Sequence, residues 1–273
     1  MPPPLLGLLL VLPALVVVLL LFVVPLGASV AGAFVVGDGV GLGNFVKTFA
    51  LYTPDIVFTV LIVSLSTALI GTFAIAIGGY LTLGENPRAV AILRWLYRWP
   101  MFIPFIVVGQ VLRTFLAKNG LMNNVLIAAG LITPLDAASF LDWRGIVIAF
   151  VWKQTPFVAL LVAGAMASVD RGTIEAARNL GASRARILVE ILVPQVATTL
   201  MVSLVLSFVT MMSVLSVPLM INAQSPTMIT ADIAFRINAY GDYGVANALG
   251  LVSLAISACA AIVYLRHSVR ERT

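Results

Sequence analysis

Long apolar runs alternate with short polar segments along this chain. A helix needs about 20 consecutive apolar residues to cross the hydrocarbon core of a bilayer, and several runs reach that length. They are far longer than the ~10-residue alternating segments of a membrane barrel. The pattern therefore predicts an all-α membrane protein, a bundle of six transmembrane helices. The predicted spans are 5–28, 56–81, 97–116, 145–167, 197–220 and 245–265.

The composition excludes a soluble globular protein. Hydrophobic residues make up 61% of the 273 residues and charged residues only 10%, and the mean hydropathy is +1.10. A soluble domain needs a far more charged surface. The first apolar run has no Lys or Arg before it and is longer than the core of a signal peptide, so we interpret it as a retained span.

The distribution of basic residues predicts the orientation in the membrane. Six spans place both termini on one side, together with segments 82–98 and 168–196. That side carries ten of the sixteen basic residues, namely Arg88, Arg94, Arg98, Arg171, Arg178, Arg184, Arg186, Arg266, Arg270 and Arg272. Because cytoplasmic loops carry the excess of Lys and Arg, we expect both termini in the cytoplasm. The net charge of +5 is thereby explained without a nucleic-acid partner.

Residue types that carry enzymatic chemistry are scarce. None of the three Lys follows a Gly, so the chain has no Walker A motif, and it has one His and one Cys. No Cys/His cluster with the spacing of a metal site is present. We therefore expect no catalytic residue, no metal site and no cofactor, and we expect any ATP hydrolysis to be performed by a partner.

A charged, Ala-rich segment lies between the fourth and fifth runs. Thr173–Leu180 has good helix formers, with an acid in the first turn and Gly181 where a helix commonly stops. Ser183 can then cap a second helix, Arg184–Val193, which Pro194 is predicted to end. Two short helices in water between spans would form a small knob, and this shape fits a cleft on a partner protein.

This segment resembles the cytoplasmic loop of permease subunits of binding-protein-dependent ABC importers. The family pattern is Glu-Ala-Ala, three residues, Gly, nine residues, Ile, one residue and Leu-Pro. The matching residues are Glu175, Ala176, Ala177, Gly181, Ile191 and Pro194, with Val193 in place of Leu. The resemblance implies a single permease domain over 1–273 with the type I fold and a coupling loop at 168–196. It assigns ATPase coupling to Glu175, Ala176, Ala177, Arg178 and Gly181.

The resemblance also implies partners and a location. These are a dimer of ATP-binding ABC subunits, a second permease subunit that we expect to be a different chain, and a soluble or lipid-anchored substrate-binding protein. The lipid membrane would be a prokaryotic inner (plasma) membrane. ATP would drive the paired permeases between outward-open and inward-open states.

Two stretches resemble the polyamine, iron and opine group of this family, namely Lys118–Asn124 and Asn179–Ser183. They favour import of a small polar solute that is polyamine-like, amino-acid-derived, a phosphonate or another organic ion. Trp152–Phe157, however, resembles the start of the fourth span in sugar permeases. A sugar-type ABC permease is therefore the alternative.

Lys153 is a candidate for the substrate pathway because it lies about nine residues, or roughly 13 Å, into the fourth predicted span. A charge at that depth must face protein, water or a partner. Our hypothesis is that a cationic lining favours an anionic or zwitterionic solute, and the alternative is a structural ion pair, for example with Asp142. The other candidate pathway residues are Gln110, Gln154, Met211, Met212 and Ser213.

Two further classes compete with an ABC permease. A secondary carrier driven by an ion gradient would need acidic residues or His within its spans, and no Asp or Glu lies well inside a predicted span. A membrane scaffold without transport would tolerate changes around Lys153. Both alternatives are excluded if an ATPase co-purifies with the chain and Glu175→Lys stops substrate-dependent ATP turnover.

Overall fold

Helices account for most of the structure. The computed structural model describes residues 3–222 and 224–270. The α-helices are α1 (Pro3–Val18), α2 (Val24–Phe34), α3 (Gly43–Leu83), α4 (Pro87–Leu96), α5 (Phe105–Leu116), α6 (Leu121–Ala128), α7 (Trp143–Ala167), α8 (Arg171–Asn179), α9 (Arg184–Ile187), α10 (Val193–Gln195), α11 (Ala197–Ser213), α12 (Ser216–Ile221), α13 (Ile229–Phe235) and α14 (Tyr243–Arg270). Shorter turns are π-helical at Leu19–Val23, Leu188–Leu192 and Arg236–Tyr240 and 3₁₀ at Trp99–Phe102.

A small hairpin follows α2. Strand β1 (Val35–Val36) pairs antiparallel with β2 (Gly39–Val40), with Val35 opposite Val40. Gly37 lies in the turn with φ +57°, a conformation that glycine adopts without steric cost. The Gly-rich sequence thus forms a tight turn and its two short strands.

Four helices within the described residues are long and apolar enough to cross a membrane: Leu10–Phe34, Gly43–Leu83, Trp143–Ala167 and Tyr243–Ile262. Two further pairs of helices are long and apolar enough to cross a membrane when the two members are taken together, but each pair is bent. The bend is 105° between Pro87–Phe102 and Phe105–Ala128, and 75° between Arg184–Gln195 and Ala197–Ser213. Counting each bent pair as one span gives six. The predicted all-α membrane bundle is confirmed.

The third predicted span, 97–116, differs from the structure because it is not one helix. After α4, the 3₁₀ turn Trp99–Phe102 leads to α5, which begins at Phe105. Pro100 and Pro104 have no backbone N–H with which to continue a helical ladder. The ψ angle of Pro104 is 148°, far from the helical range. The chain therefore turns sharply at this point.

The prediction that Pro194 ends a helix is wrong. Pro194 lies inside α10, directly after a π-helical turn. In the first turn of α10 its missing N–H is not needed. The bend comes instead at Val196, with φ −104° and ψ 8°. The predicted span 197–220 is likewise divided, since α11 ends at Ser213 and α12 begins at Ser216.

Helix α3 is longer than the predicted span 56–81. It has 41 residues and contains Pro54. At ~1.5 Å per residue its length is about 60 Å, roughly twice the ~30 Å hydrocarbon core. Only part of α3 can therefore cross the apolar core if it runs straight across.

The chain forms two compact units, one of residues up to Pro54 with Asp232–Ala255 and the other of Asp55–Ala231 with residues from Ile256 onward. In the first unit, Asn44 is buried and its amide donates to the carbonyls of Ala33 (3.0 Å) and Val35 (2.7 Å). The Ser29 hydroxyl donates to Asn247 Oδ1 at 2.8 Å. These polar contacts fix α2 and the hairpin to the start of α3, and α2 to α14, within that unit.

The core of the second unit lies around α7, whose side chains include the fully buried Phe150 and Met166. Helices α5, α11 and α12 pack against α7. At Gly78 of α3, an added Cβ would lie 3.1 Å from Met166 Sδ and 3.3 Å from Val162 Cγ1. The small residue thus allows close approach of α3 and α7.

Candidate functional site

Helix α8 is defined at both ends by local hydrogen bonds. It begins at Arg171, two residues before the predicted start, because the Asp170 carboxylate caps it and accepts from Thr173 N at 3.1 Å. Backbone N–H groups of Gly172 and Thr173 lower the pKa of Asp170. The helix stops where predicted, with Gly181 at φ +82°. The N–H of Gly181 donates to the Arg178 carbonyl at 2.9 Å.

One side of α8 packs on the protein and the other faces outward. Ile174 is 8% exposed and belongs to the core of the second unit. Glu175 and Ala176 are exposed. Leu180, directly after the helix, is 88% exposed. We call Glu175, Ala176 and Leu180 the outer face of α8, a surface of one carboxylate and two apolar side chains.

Leu180 is a candidate that the sequence analysis missed. The signal was available, since a large apolar residue directly precedes the glycine that ends a short polar helix. Such a residue often packs inward, so its exposure could only be seen in the structure. Exposed apolar patches rimmed by polar residues are typical of interaction surfaces, and Leu180 with Ala176, four positions earlier, gives this helix a small one.

Two longer-range contacts attach this loop to the end of α3. Arg178 Nη2 donates to the Leu83 carbonyl at 3.4 Å. Arg184 forms an ion pair with Glu85, which lies in the turn after α3. The start of α9 is capped by the Ser183 hydroxyl, which accepts from Arg186 N at 3.3 Å, as predicted. The loop is therefore joined to the protein through Ile174 and these two arginines.

The ammonium group of Lys153 contacts backbone carbonyls. Its Nζ donates to the carbonyl oxygens of Met101 at 2.7 Å and Pro100 at 3.1 Å, and it lies 5.5 Å from the Phe105 ring centroid. These acceptors belong to the break between α4 and α5. Asp142, the alternative partner considered from the sequence, pairs instead with Arg144 at 2.7 Å.

The other candidate pathway residues lie on helices that neighbour one another. Lys153 and Gln154 are on α7, which packs against α5 and against α11. The exposed candidates are Gln110 and Ser213, and the buried ones are Gln154, Met211 and Met212. Ser213 Oγ donates to the Val209 carbonyl at 2.9 Å. The structure brings the three helices together without exposing all six side chains on one surface.

Asp55 was placed outside the spans by the sequence analysis, yet it lies within α3 and is 2% exposed. Its carboxylate accepts from Thr227 N at 2.7 Å and from the Ser225 hydroxyl at 3.2 Å. One turn further along α3, the Thr59 hydroxyl accepts from Ile229 N at 2.9 Å. These side chains anchor the segment between α12 and α13, which we call the anchored segment (224–229).

Comparison with known families identifies the chain. Residues 74–272 match the family of binding-protein-dependent transport system inner membrane components. The chain belongs to this family. The resemblance predicted from the Glu175 loop is therefore confirmed, and the chain is an inner-membrane permease subunit of an ABC importer with the type I fold. Its relatives are transport subunits rather than enzymes.

The relatives of this permease include sugar and polyamine transporters. It is 28% identical to the trehalose/maltose permease of Thermococcus litoralis over 96% of this chain and 92% of that one. It is 27% identical to the sulfoquinovosyl glycerol permease of Agrobacterium fabrum, covering 70% and 67% of the two chains. It is 28% identical to the spermidine/putrescine permease of Escherichia coli, covering 59% and 61%. The predicted likeness to the polyamine group thus extends over less of the permease than the likeness to a sugar permease.

Solved structures show the same fold. A bacterial alginate ABC transporter, in complex with an alginate pentasaccharide-bound periplasmic protein, aligns with TM-score 0.81 and 21% identity over 96% of this permease and 93% of that chain. The MetNI methionine ABC transporter, in an inward-facing conformation, aligns with TM-score 0.61 and 18% identity over 83% and 98%. At these identities the similarity concerns the fold alone.

Proposed function

We propose that this permease forms half of the translocation pathway of an ATP-driven importer and that the outer face of α8 docks on a separate ATPase subunit. The exposed Glu175, Ala176 and Leu180 carry the proposal. The side chains of Ala176 and Leu180 suit an apolar groove on the partner, and the carboxylate of Glu175 suits an Arg or Lys at the rim of that groove. ATP is hydrolysed by the partner, which supplies the nucleotide site that this sequence lacks.

The contacts of α8 and its loop with the rest of the second unit suggest how movement of an ATPase would reach the membrane helices. Ile174 connects α8 to the core of the second unit, and Arg178 and Arg184 connect the loop to the end of α3. Closure of two ATPase subunits would move α8, and these contacts would transmit the movement to α3 and α7. The permease would then alternate between outward-open and inward-open states.

The assembly that we propose contains a second, different permease chain, a dimer of ATP-binding subunits and a soluble or lipid-anchored binding protein. Six spans, with both termini in the cytoplasm, would supply one half of the pathway. The alginate transporter, which has the same fold, was solved with a periplasmic protein, and this supports a binding protein as the source of the solute.

Affinity purification of the tagged chain from its native membrane tests the docking proposal. We expect the ATP-binding subunit and a second permease to remain bound in mild detergent. Glu175→Lys and Leu180→Asp should each lower recovery of the ATP-binding subunit at least about tenfold, the equivalent of about 1.4 kcal/mol of binding free energy. Both positions are exposed, so the Tm of the permease should be unchanged.

Glu190→Lys is the matched control, since Glu190 is an exposed acid of the same loop whose partner is Arg186. It should retain the ATP-binding subunit. Full recovery of that subunit with Glu175→Lys and Leu180→Asp would contradict docking through α8. Recovery of the permease alone, already in the wild type, would contradict a stable assembly with a separate ATPase subunit.

Two solute classes are supported by different observations. The runs Lys118–Asn124 and Asn179–Ser183 support a small organic ion, polyamine-like, amino-acid-derived or a phosphonate. The relative that covers 96% of this chain is a trehalose/maltose permease, which supports a saccharide as the second candidate. Thermal-shift screening of the co-purified binding protein against both classes would decide between them.

For the solute pathway we propose Lys153 and Gln154 on α7, Gln110 on α5, and Met211, Met212 and Ser213 at the end of α11. Helices α5 and α11 each pack against α7. Lys153→Met removes the charge but keeps most of the volume, and we expect it to lower uptake and to change solute preference. Lys118→Met, at an exposed site, is the control and should leave both unchanged.

Uptake must be expressed per folded transporter, because Lys153 also bonds the carbonyls of Pro100 and Met101. If Lys153→Met lowers only the Tm and leaves uptake and preference intact, its role is to hold the break between α4 and α5. The pathway assignment of Lys153 would then be wrong.

A further inference from the structure

Two neighbouring cavities of the second unit share two arginines. The first, the arginine cavity, has a volume of about 520 Å³ and is lined by Arg94, Arg98, Arg171 and Arg178. The second, the tryptophan groove, has a volume of about 760 Å³ and is lined by Arg94 and Arg98 together with apolar residues. These apolar residues are Ala91, Trp95, Trp99, Phe102 and Ile103. A cationic cavity and an apolar groove thus adjoin at Arg94 and Arg98, at the end of α4 and just beyond it.

The arginine cavity has an excess of positive charge. Four guanidinium groups line it against one carboxylate, that of Glu175. In the described part of the chain, the salt bridges that involve arginine use other arginines, namely Arg144, Arg184, Arg186 and Arg236. Guanidinium groups bind phosphate oxygens through paired N–H donors. The cavity therefore favours an anion of the phosphate type.

The position of the arginine cavity places it near a membrane surface. Its lining includes Leu81 and Thr82 at the end of α3 and Ala167 at the end of α7. Helix α7 is apolar enough to cross a membrane, and its 25 residues are close to the length that a span requires, so its end lies where hydrocarbon gives way to water. A ligand in the cavity can therefore contact water on one side and lipid on the other.

The tryptophan groove favours the phosphate group of a lipid over free phosphate. Trp95, Trp99 and Phe102 are all exposed, and the two indole rings lie 4.7 Å apart, edge to face. Tryptophan is enriched at the interface between membrane and water. A free phosphate would fill only the arginine cavity, whereas an acyl chain would also cover this groove.

We propose that these two cavities bind an anionic phospholipid, with its phosphate among the four arginines and an acyl chain along Trp95, Trp99 and Phe102. Basic pockets beside membrane helices bind anionic lipid headgroups by this combination of charge and depth. Glu175 and Arg178 of α8 also line the arginine cavity, so the lipid would contact α8 at the edge of its outer face, where Glu175 lies. The proposal depends on these cavities and not on docking of an ATPase.

Tryptophan fluorescence of the full-length chain reports on this site directly. In a Trp143→Phe, Trp152→Phe background, Trp95 and Trp99 are the remaining tryptophans. The protein is reconstituted in phosphatidylcholine vesicles that contain the same mole fraction of either brominated phosphatidylglycerol or brominated phosphatidylcholine. We expect stronger quenching by the brominated phosphatidylglycerol, and equal quenching by the two lipids would overturn the proposal.

Variants of the cavity arginines test whether these residues cause the preference for phosphatidylglycerol. Arg94→Gln or Arg98→Gln should reduce the preference for phosphatidylglycerol about fivefold each. Arg88→Gln is the matched control, because Arg88 lies on the same helix and lines neither cavity. A preference that survives both cavity variants, or that is lost equally with Arg88→Gln, would show general attraction to a negative surface and overturn the specific site.

Inorganic phosphate distinguishes the two sources of a phosphate group. It is added to the same vesicles at an ionic strength matched with chloride. We expect the preference for brominated phosphatidylglycerol to persist, since the acyl chain anchors the lipid. If phosphate abolishes the preference and chloride does not, the phosphate group alone determines binding in the cavity, and the assignment of an acyl chain to the tryptophan groove is wrong.

Discussion

Two loops of the second unit are held in opposite ways. The loop from Asp170 to Ser183 is stabilised mainly by bonds between close neighbours, such as Asp170 with Thr173 and Ser183 with Arg186. The anchored segment (224–229) is held by Asp55 and Thr59, about 170 positions earlier in the chain. The first loop exposes the outer face of α8, whereas Asp55, Thr227 and Ile229 are buried. The loop from Asp170 to Ser183, held mainly by local hydrogen bonds, leaves a surface exposed for a partner. The anchored segment, bonded to a distant part of the chain, belongs to the core.

Asp55→Ala should give the largest effect on stability. It would leave the N–H of Thr227, bonded at 2.7 Å, and the Ser225 hydroxyl without their charged acceptor. Hydrogen bonds to charged groups contribute about 2–3 kcal/mol when one partner is lost from a buried site. We expect a clear fall in Tm, measured by intrinsic fluorescence in detergent. Asp55→Asn keeps one carbonyl acceptor and should retain part of the stability. Equal losses in the two variants would show that charge, rather than the acceptor, matters.

Thr59→Val should have an intermediate effect. It keeps the shape of the side chain but removes the acceptor of Ile229 N, at a cost of about 1–2 kcal/mol. Thr72→Val, on the same helix, is the matched control, since the Thr72 hydroxyl is exposed and donates to the Ala68 carbonyl one turn earlier. An unchanged Tm for Thr59→Val would mean that Thr59 does not anchor the segment.

Asp170→Asn should have the smallest effect and a pH dependence. Hydrogen bonds from Gly172 and Thr173 lower the pKa of Asp170 in the folded state. Its contribution is therefore complete above the unfolded-state pKa of about 3.9 and is lost as pH falls through the lower folded-state value. The Tm difference between wild type and Asp170→Asn should be constant near neutral pH and should shrink below about pH 4.

Ser183→Ala tests whether that pH dependence belongs to the carboxylate. Ser183 caps the next helix in the same loop but has no group that titrates in this range. Its Tm deficit should not shrink at low pH. If both caps lose their effect together, global acid unfolding is the cause, and the assignment to Asp170 is wrong.

The same contrast explains which features could be predicted from the sequence. Residues that act on near neighbours gave correct predictions: Gly181 ends α8, and Ser183 caps α9. The partners of Lys153 at Pro100 and Met101 and those of Asp55 in the anchored segment are far away in the chain. No local pattern encodes these pairings, so the bend before α5 and the role of Asp55 were found only in the structure. Pro194 does not end the helix, because it follows a π-helical turn and lies in the first turn of α10, where its missing N–H is not needed.

The first long helix has a different relation to its sequence. In Leu10–Phe34 the most apolar window has none of its residues buried by the chain itself, and the polar anchor at Ser29 comes only near its end. Where surrounding hydrocarbon is the contact, one aliphatic side chain serves nearly as well as another. Such a segment is constrained in length and hydrophobicity rather than in identity. Among related proteins it should therefore drift faster in sequence than the buried helices while keeping its length.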